Sequence, residues 1–195
     1  MLARLYSVTL EGIEGIICEV EVDAAYCGSD RSMIVGLPDA AVKESLERVR
    51  SAIVNSGFGY SETQSLINLA PADIKKVGPA FDLPIALGML QCNGCLVSDD
   101  LKNHLIVGEL ALDGRVRPVN GVLSMAMTAE RNGFSSIIVP AENAEEAAVV
   151  KNIDVYGVSS LAQAVSFLSG NLALDSTRVD MDKLLTVASE YNVDF

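Results

Sequence analysis

The sequence predicts an α+β (mixed α/β) fold, a mixed sheet with helices packed on it, and three observations predict it. Residues 5–24 alternate apolar and polar side chains about a Glu11-Gly12 turn, a helical period takes over after Val35, and from Leu123 onward helical and strand-like segments alternate. The first pattern favours antiparallel hairpins and the last favours parallel pairing.

The elements follow in order. Leu5–Leu10 and Ile13–Ala24 are expected to be strands of one hairpin, although the alternation in the second is imperfect, with Ile17, Val20 and Val22 interleaved among Cys18, Glu19, Glu21 and Asp23. Met33–Val35 is a short third strand. Val42, Leu46, Val49 and Ile53 then recur at i, i+4, i+7 and i+11, with Lys43, Glu44, Glu47, Arg48 and Arg50 on the other faces. That spacing is an amphipathic helix lying on a sheet, with Asp39 as N-cap and Gly57 as stop.

Ser65–Leu69 reads as a buried strand. After the loop APADIKKVGPAFD comes a helix over Asp82–Gln91 that is apolar nearly all round, so it must be covered on several sides and sit centrally. Leu105–Leu112 and Arg115–Pro118 are strands about an Asp113-Gly114 turn. Helix Leu123–Asn132, strand Ser136–Val139, helix Ala141–Val150, strand Val155–Gly157 and helix Leu161–Leu168 complete the pattern. There is no internal repeat and no low-complexity tract, and from Asn171 the chain is weakly patterned and net acidic, as a linker would be.

A chain of 195 residues is one domain with a short appendage, and half of it is apolar, which supplies a full core. Fourteen Lys and Arg against 26 Asp and Glu leave a charge of −12, which repels phosphate backbones and makes the chain by itself a poor nucleic-acid binder. No apolar run approaches the about 20 residues of a bilayer span, and Glu11 interrupts the place where a signal peptide would be apolar. A soluble, cytoplasmic protein without a membrane partner is the expectation. Four unevenly spaced cysteines do not make a disulfide framework and are expected to be reduced.

Most motifs that carry chemistry are absent from the sequence. GLPDAAVKES lacks the second glycine of a P-loop, and GxGxxG, GxSxG, HExxH and SxxK do not occur. The lone His104 cannot build a histidine metal site and reads as a strand-edge residue. Cys92 and Cys95 have zinc-knuckle spacing and, with Cys18 and Cys27, leave a four-thiolate site open beside the plainer reading of small hydrophobes. Because CNGC closes a helix and does not open one, the dipole disfavours a reactive thiolate. Asp99-Asp100 and Glu145-Glu146 read as solvated faces. A Ser-Lys dyad built from distant segments stays open, which directs attention to the loop GPAFDLP.

Four segments carry a resemblance: VGLPDAAVKESLERVRSAIVNSGF at 35–58, INLAPADIKKVGPAFDLPIALGML at 67–90, VGELALDGRVRPVNGV at 107–122 and IIVPAENAEEAAVV at 137–150. Together they resemble the N-terminal domain of the YifB/ComM family of magnesium-chelatase-like AAA+ ATPases, over about residues 1–170, and that domain is similar in turn to the proteolytic domain of Lon. The resemblance implies a ribosomal protein S5 domain 2-like, Lon proteolytic-domain-like fold for 1–170, with 171–195 a linker leading to an AAA+ ATPase module that these residues do not contain. In the Lon pattern a KDGPSAG loop carries the nucleophilic serine and a later PIGGLKEK segment the lysine base. Lys76, Gly78 and Pro79 then place Ala80 at the serine position, and Pro118 and Gly121 place Met125 at the lysine position.

An alanine has no nucleophile and a thioether accepts no proton at neutral pH, so the resemblance implies a non-catalytic domain with no catalytic, cofactor or metal residues of its own. It implies ATP and Mg in the AAA+ module, a hexameric ring as the assembly, that module and neighbouring subunits as partners, and DNA, in branch migration during natural transformation, contacted only by the full-length protein. Ring assembly or substrate guiding is the role expected of the domain. Two alternatives stay open: a Lon-like peptidase with another nucleophile near Ala80, for which Ser124 beside Met125 is the candidate, and a free-standing interaction domain.

Overall fold

The computed structural model describes residues 1–26, 32–59 and 63–179. Strands β1 (Leu2–Glu11) and β2 (Glu14–Tyr26) form the first hairpin, paired from Leu2↔Asp23 to Glu11↔Glu14. Its turn is Gly12-Ile13, one residue later than the alternation suggests, with Gly12 at the positive φ that such a turn requires. β3 (Met33–Val35), helix α1 (Ala40–Asn55), β4 (Thr63–Ala70) and helix α2 (Asp82–Cys92) follow. The second half contains β5 (His104–Ile106), β6 (Glu109–Leu110), β7 (Val116–Arg117), α3 (Val122–Arg131), β8 (Ser136–Pro140), α4 (Ala144–Ala147), β9 (Asp154–Val158) and α5 (Leu161–Leu168).

Seven strands make one sheet in the order β3-β4-β2-β1-β5-β8-β9. The β1/β2 and β2/β4 pairs are antiparallel, and β3/β4, β1/β5, β5/β8 and β8/β9 are parallel, which is the mixed sheet that the sequence predicts. One face packs its Leu5, Val20, Val22, Ile67 and Leu69 against α1, α2 and α5, and the other packs Val8, Leu105, Ile137 and Val155 against α3 and α4. Helix α2 touches β1, β2, α1 and α5, so the lack of charge after Asp82, from Leu83 to Cys92, is the composition of a helix surrounded by protein. Its Gly88 sits close enough to β1 and β2 that a Cβ there would lie 2.6 Å from Val22 and 3.0 Å from Leu5.

Three predicted elements are shorter than their patterns, the least of them the strand expected over Arg115–Pro118, which is the two-residue β7. The strand expected over Leu105–Leu112 breaks at Gly108: β5 stays in the large sheet, while β6 leaves it to pair with β7 as a separate ribbon. The cause is tertiary, because Gly108 N donates to Ala80 O (3.0 Å) and Leu83 N to Gly108 O (3.0 Å), and this competes with continuation along the sheet. The helix expected over Ala141–Val150 is a 3-10 turn, Ala141–Asn143, followed by the four-residue α4. There the buried Asn143 amide clamps the backbone of Val119, accepting from its N (2.9 Å) and donating to its O (3.1 Å). Residues 176–178 lie along β9, with Thr177 N donating to Val155 O (2.8 Å), Val155 N to Ser176 Oγ (3.2 Å), and Arg178 paired to Asp154 (2.7 Å).

Candidate functional site

Three of the segments singled out in the sequence meet at one cleft. Asp39 is the N-cap of α1 as expected, its Oδ1 accepting from Val42 N at 2.8 Å, and its other oxygen accepts from Gly78 N at 3.2 Å. Asp39 N donates to Lys76 O (3.0 Å) and Lys76 N to Leu37 O (3.1 Å), so GLPD and KKVGP form one pair of strapped loops. These bonds hold Leu37 at φ 54, a conformation that a bulky residue leaves unless its surroundings impose it. Replacing Asp39 with alanine removes cap and strap together, and thermal unfolding is expected to report a loss of about 1–2 kcal/mol.

The third segment joins through Gly108 on Ala80 and through Asp82. Arg48 donates to both Asp82 oxygens (Nε to Oδ2 2.8 Å, Nη2 to Oδ1 3.0 Å), and Leu110 N donates to Oδ2 (3.2 Å), tying α1, α2 and β6 to one buried carboxylate. The two partners respond differently. The hydrogen bond to Asp82 raises the Arg48 guanidinium above its ordinary value, whereas burial outweighs the attraction of Arg48 and pushes Asp82 up to about 6. Asp82 is wholly buried and Arg48 partly solvated, so the cost of desolvation falls on the acid. The folded chain therefore binds this proton more tightly than the unfolded chain, whose carboxyl titrates near the ordinary 3.8. Asp82 contributes stability that is fully present below about pH 4 and is lost as pH rises through about 6. Urea midpoints at pH 7 and pH 5 are expected to show a gain on acidification that shrinks in Asp82→Asn.

Between these loops, the end of β1 and the residues before α3 lies a cleft of about 280 Å³. Ala80 and Met125 both line it, together with Thr9, Glu109 and Asn120. The positions that the resemblance assigns to nucleophile and base therefore share one wall-to-wall space, and there they present a methyl group and a thioether. Ser124, the alternative nucleophile, lines a different depression with Glu14, Met127 and Arg131. Lys76 is buried with its ammonium donating to Pro71 O and Ile74 O, and burial lowers its pKa. It holds the loop together and does not reach the cleft.

Thr9, Glu109 and Asn120 were not legible as site residues. The Thr9 hydroxyl is buried without a hydrogen-bond partner, and Glu109 accepts from Arg117 (3.4 Å). Thr9 does carry a signal, since it continues the core-facing row of Leu5 and Ser7, where a polar residue is unexpected. His104 opens a central strand and not an edge, and its Nδ1 meets the hydroxyl of the buried Ser136, a half-buried pair outside the cleft. Cys18 is buried, Cys92 donates to Met1 O (3.0 Å) and Val22 O (3.1 Å), and Cys95 is exposed. Cys27 lies outside the described residues, and among the described residues no group of three or more His, Cys, Asp or Glu is placed to hold a metal.

Residues 20–143 match the model of the family described as subunit ChlI of Mg-chelatase. The chain belongs to this magnesium-chelatase-like family. It is 42% identical over 173 residues to an uncharacterized protein of Mycobacterium tuberculosis (89% of this chain, 34% of the relative). It is 38% identical over 169 residues to the competence protein ComM of Haemophilus influenzae (87% and 33%), and 42% identical over 142 residues to YifB of Escherichia coli (73% and 28%). A weaker likeness, 24% over 146 residues, links it to the Lon protease of Elusimicrobium minutum (72% and 17%). The chain spans about a third of the length of the curated YifB/ComM relatives that it matches. No helix among the described residues is long and apolar enough to cross a membrane.

Proposed function

We propose that this chain is the non-catalytic, Lon-like N-terminal domain of a YifB/ComM-type AAA+ ATPase and serves ring assembly or substrate guiding. ATP and Mg would be bound, and DNA remodelled, by another module of the same cytoplasmic protein. The observation that supports this reading is the cleft itself: its loops are tied together by Asp39, Asp82 and Gly108, and Ala80 and Met125, which the Lon pattern assigns to the serine and lysine positions, both line it. The lengths of the relatives support it, because about two-thirds of each lies outside the match. The charge of −12 supports contact with DNA through other modules.

The gene downstream of codon 195 is expected to encode GxxxxGK[ST] within about the next hundred codons. A fluorophosphonate probe is expected to leave the chain unlabelled. Labelling of Ser124, abolished by Ser124→Ala, would instead make the protein an active hydrolase. A reading frame without a P-loop would leave a free-standing binding domain.

A further inference from the structure

The β3/β4/β2 end of the sheet is covered on one face only. α1 and α2 pack on that face through Ile34, Ile67 and Leu69, whereas on the opposite face α3 and α4 lie over β1, β5, β8, β9 and the Gly15 end of β2. Among the described residues no helix covers the remainder. Register places Leu2, Asp23, Leu66 and Met33 in one cross-strand row, and Arg4, Glu21, Asn68 and Val35 in the next.

The four apolar members of these rows are open to solvent: Met33 61%, Leu2 49%, Leu66 47% and Val35 37% exposed. A parallel pair such as β3/β4 is ordinarily buried on both faces, and a solvated antiparallel face ordinarily turns polar side chains outward. β2 obeys that rule with Glu19, Glu21 and Asp23, and β4 with Gln64 and Asn68; Met33 and Val35 of β3 and Leu66 of β4 do not. β3 is also an edge strand without the Lys, Pro or inward charge that guards such edges.

We propose that this face is a docking surface for the ATPase module of the same assembly, through a patch of that module in which apolar side chains are bordered by Lys or Arg. The proposal rests on the reading above and names the contact that the domain makes. Charge selects the occupant. Glu19, Glu21 and Asp23 form an acidic column beside the apolar strip, and the cations facing it there are Arg4, shared between Glu21 (3.2 Å) and Glu19 (3.7 Å), and the α-amino group near Asp23 (3.6 Å). A second copy would set a like acidic column, on a chain that already carries −12, against the first.

The test is amide hydrogen exchange of residues 33–35 and 64–70 in the full-length protein and in the 195-residue chain, with ATP hydrolysis measured on the same full-length sample. Exchange in β3 is expected to slow about tenfold in the full-length protein. Leu66→Lys is expected to abolish that protection and Leu66→Glu to reduce it less, since a basic patch repels the first and attracts the second. The thermal midpoint of the 195-residue chain serves as the folding control for both variants.

Equal exchange in the two wild-type samples would overturn the proposal, as would a larger loss with Glu than with Lys. Dimerisation of the 195-residue chain that Leu66→Lys abolishes would assign the face to a second copy and overturn it too. Protection at β3 in a protein that hydrolyses no ATP would instead overturn the reading that supplies an ATPase module.

Discussion

Arg48→Ala is expected to cost about 3 kcal/mol, because it strands the buried Asp82 carboxylate without the guanidinium that meets both of its oxygens. For a domain of this length the thermal midpoint falls by about 10 °C. The origin of the loss gives it a pH dependence. Without Arg48 the acid is held protonated to higher pH than the about 6 of the wild type, so lowering the pH from 7 to 5 neutralises the stranded charge and returns part of the deficit. Thermal scans of wild type and variant at both values check this. A deficit equal at pH 7 and pH 5 would mean that lost packing, and not the stranded charge, is what Arg48→Ala costs. Arg48→Lys restores the charge without the two-pronged geometry and is expected to recover less than half of the loss.

Gly36→Ala is expected to be as damaging, for a steric reason. Gly36 sits at φ 99, and a Cβ there would lie 2.0 Å from the carbonyl oxygen of Leu69 and 2.8 Å from its carbon. Those atoms are backbone within β4 and cannot rotate away, so β3 must separate from β4. The positive φ alone costs about 1 kcal/mol, and the clash raises the total to about 3 kcal/mol or more. Gly57→Ala is the matched control, with φ 83 and nothing within 4 Å of its Cβ, and it is expected to lose only the conformational part. Urea midpoints of the two variants separate strain from collision. The consequence extends to the cleft, because Leu37 and Asp39, one and three residues after Gly36, hold the Lys76–Gly78 loop.

Periodicity reached the parts of the fold that local chemistry decides. The uncharged run Leu83–Leu90 could only be a surrounded helix, and the switch to a helical period after Val35 located α1 with its Asp39 cap. It failed where a distant group takes over the backbone. The break at Gly108 requires the carbonyl of Ala80, and the short α4 follows an Asn143 side chain committed to Val119. Asp82 reads in sequence as an ordinary acid in the first turn of a helix; its burial depends on Arg48, 34 positions away. Ala80 and Met125 were recognisable as positions only through the Lon pattern, since neither residue type advertises chemistry. That both line one cleft is a property of the packed structure.

On the function proposed above, this cleft keeps the framework of a protease without its chemistry, and ATP drives the work of the full-length protein. The most direct measurement is incubation of the purified full-length protein with unfolded casein and Mg-ATP, following phosphate release and peptide fragments in the same tube. Phosphate release with intact casein is the predicted result. Casein cleavage, above all cleavage that survives Ala80→Gly and Met125→Leu, would contradict the account by showing a nucleophile that the cleft does not display.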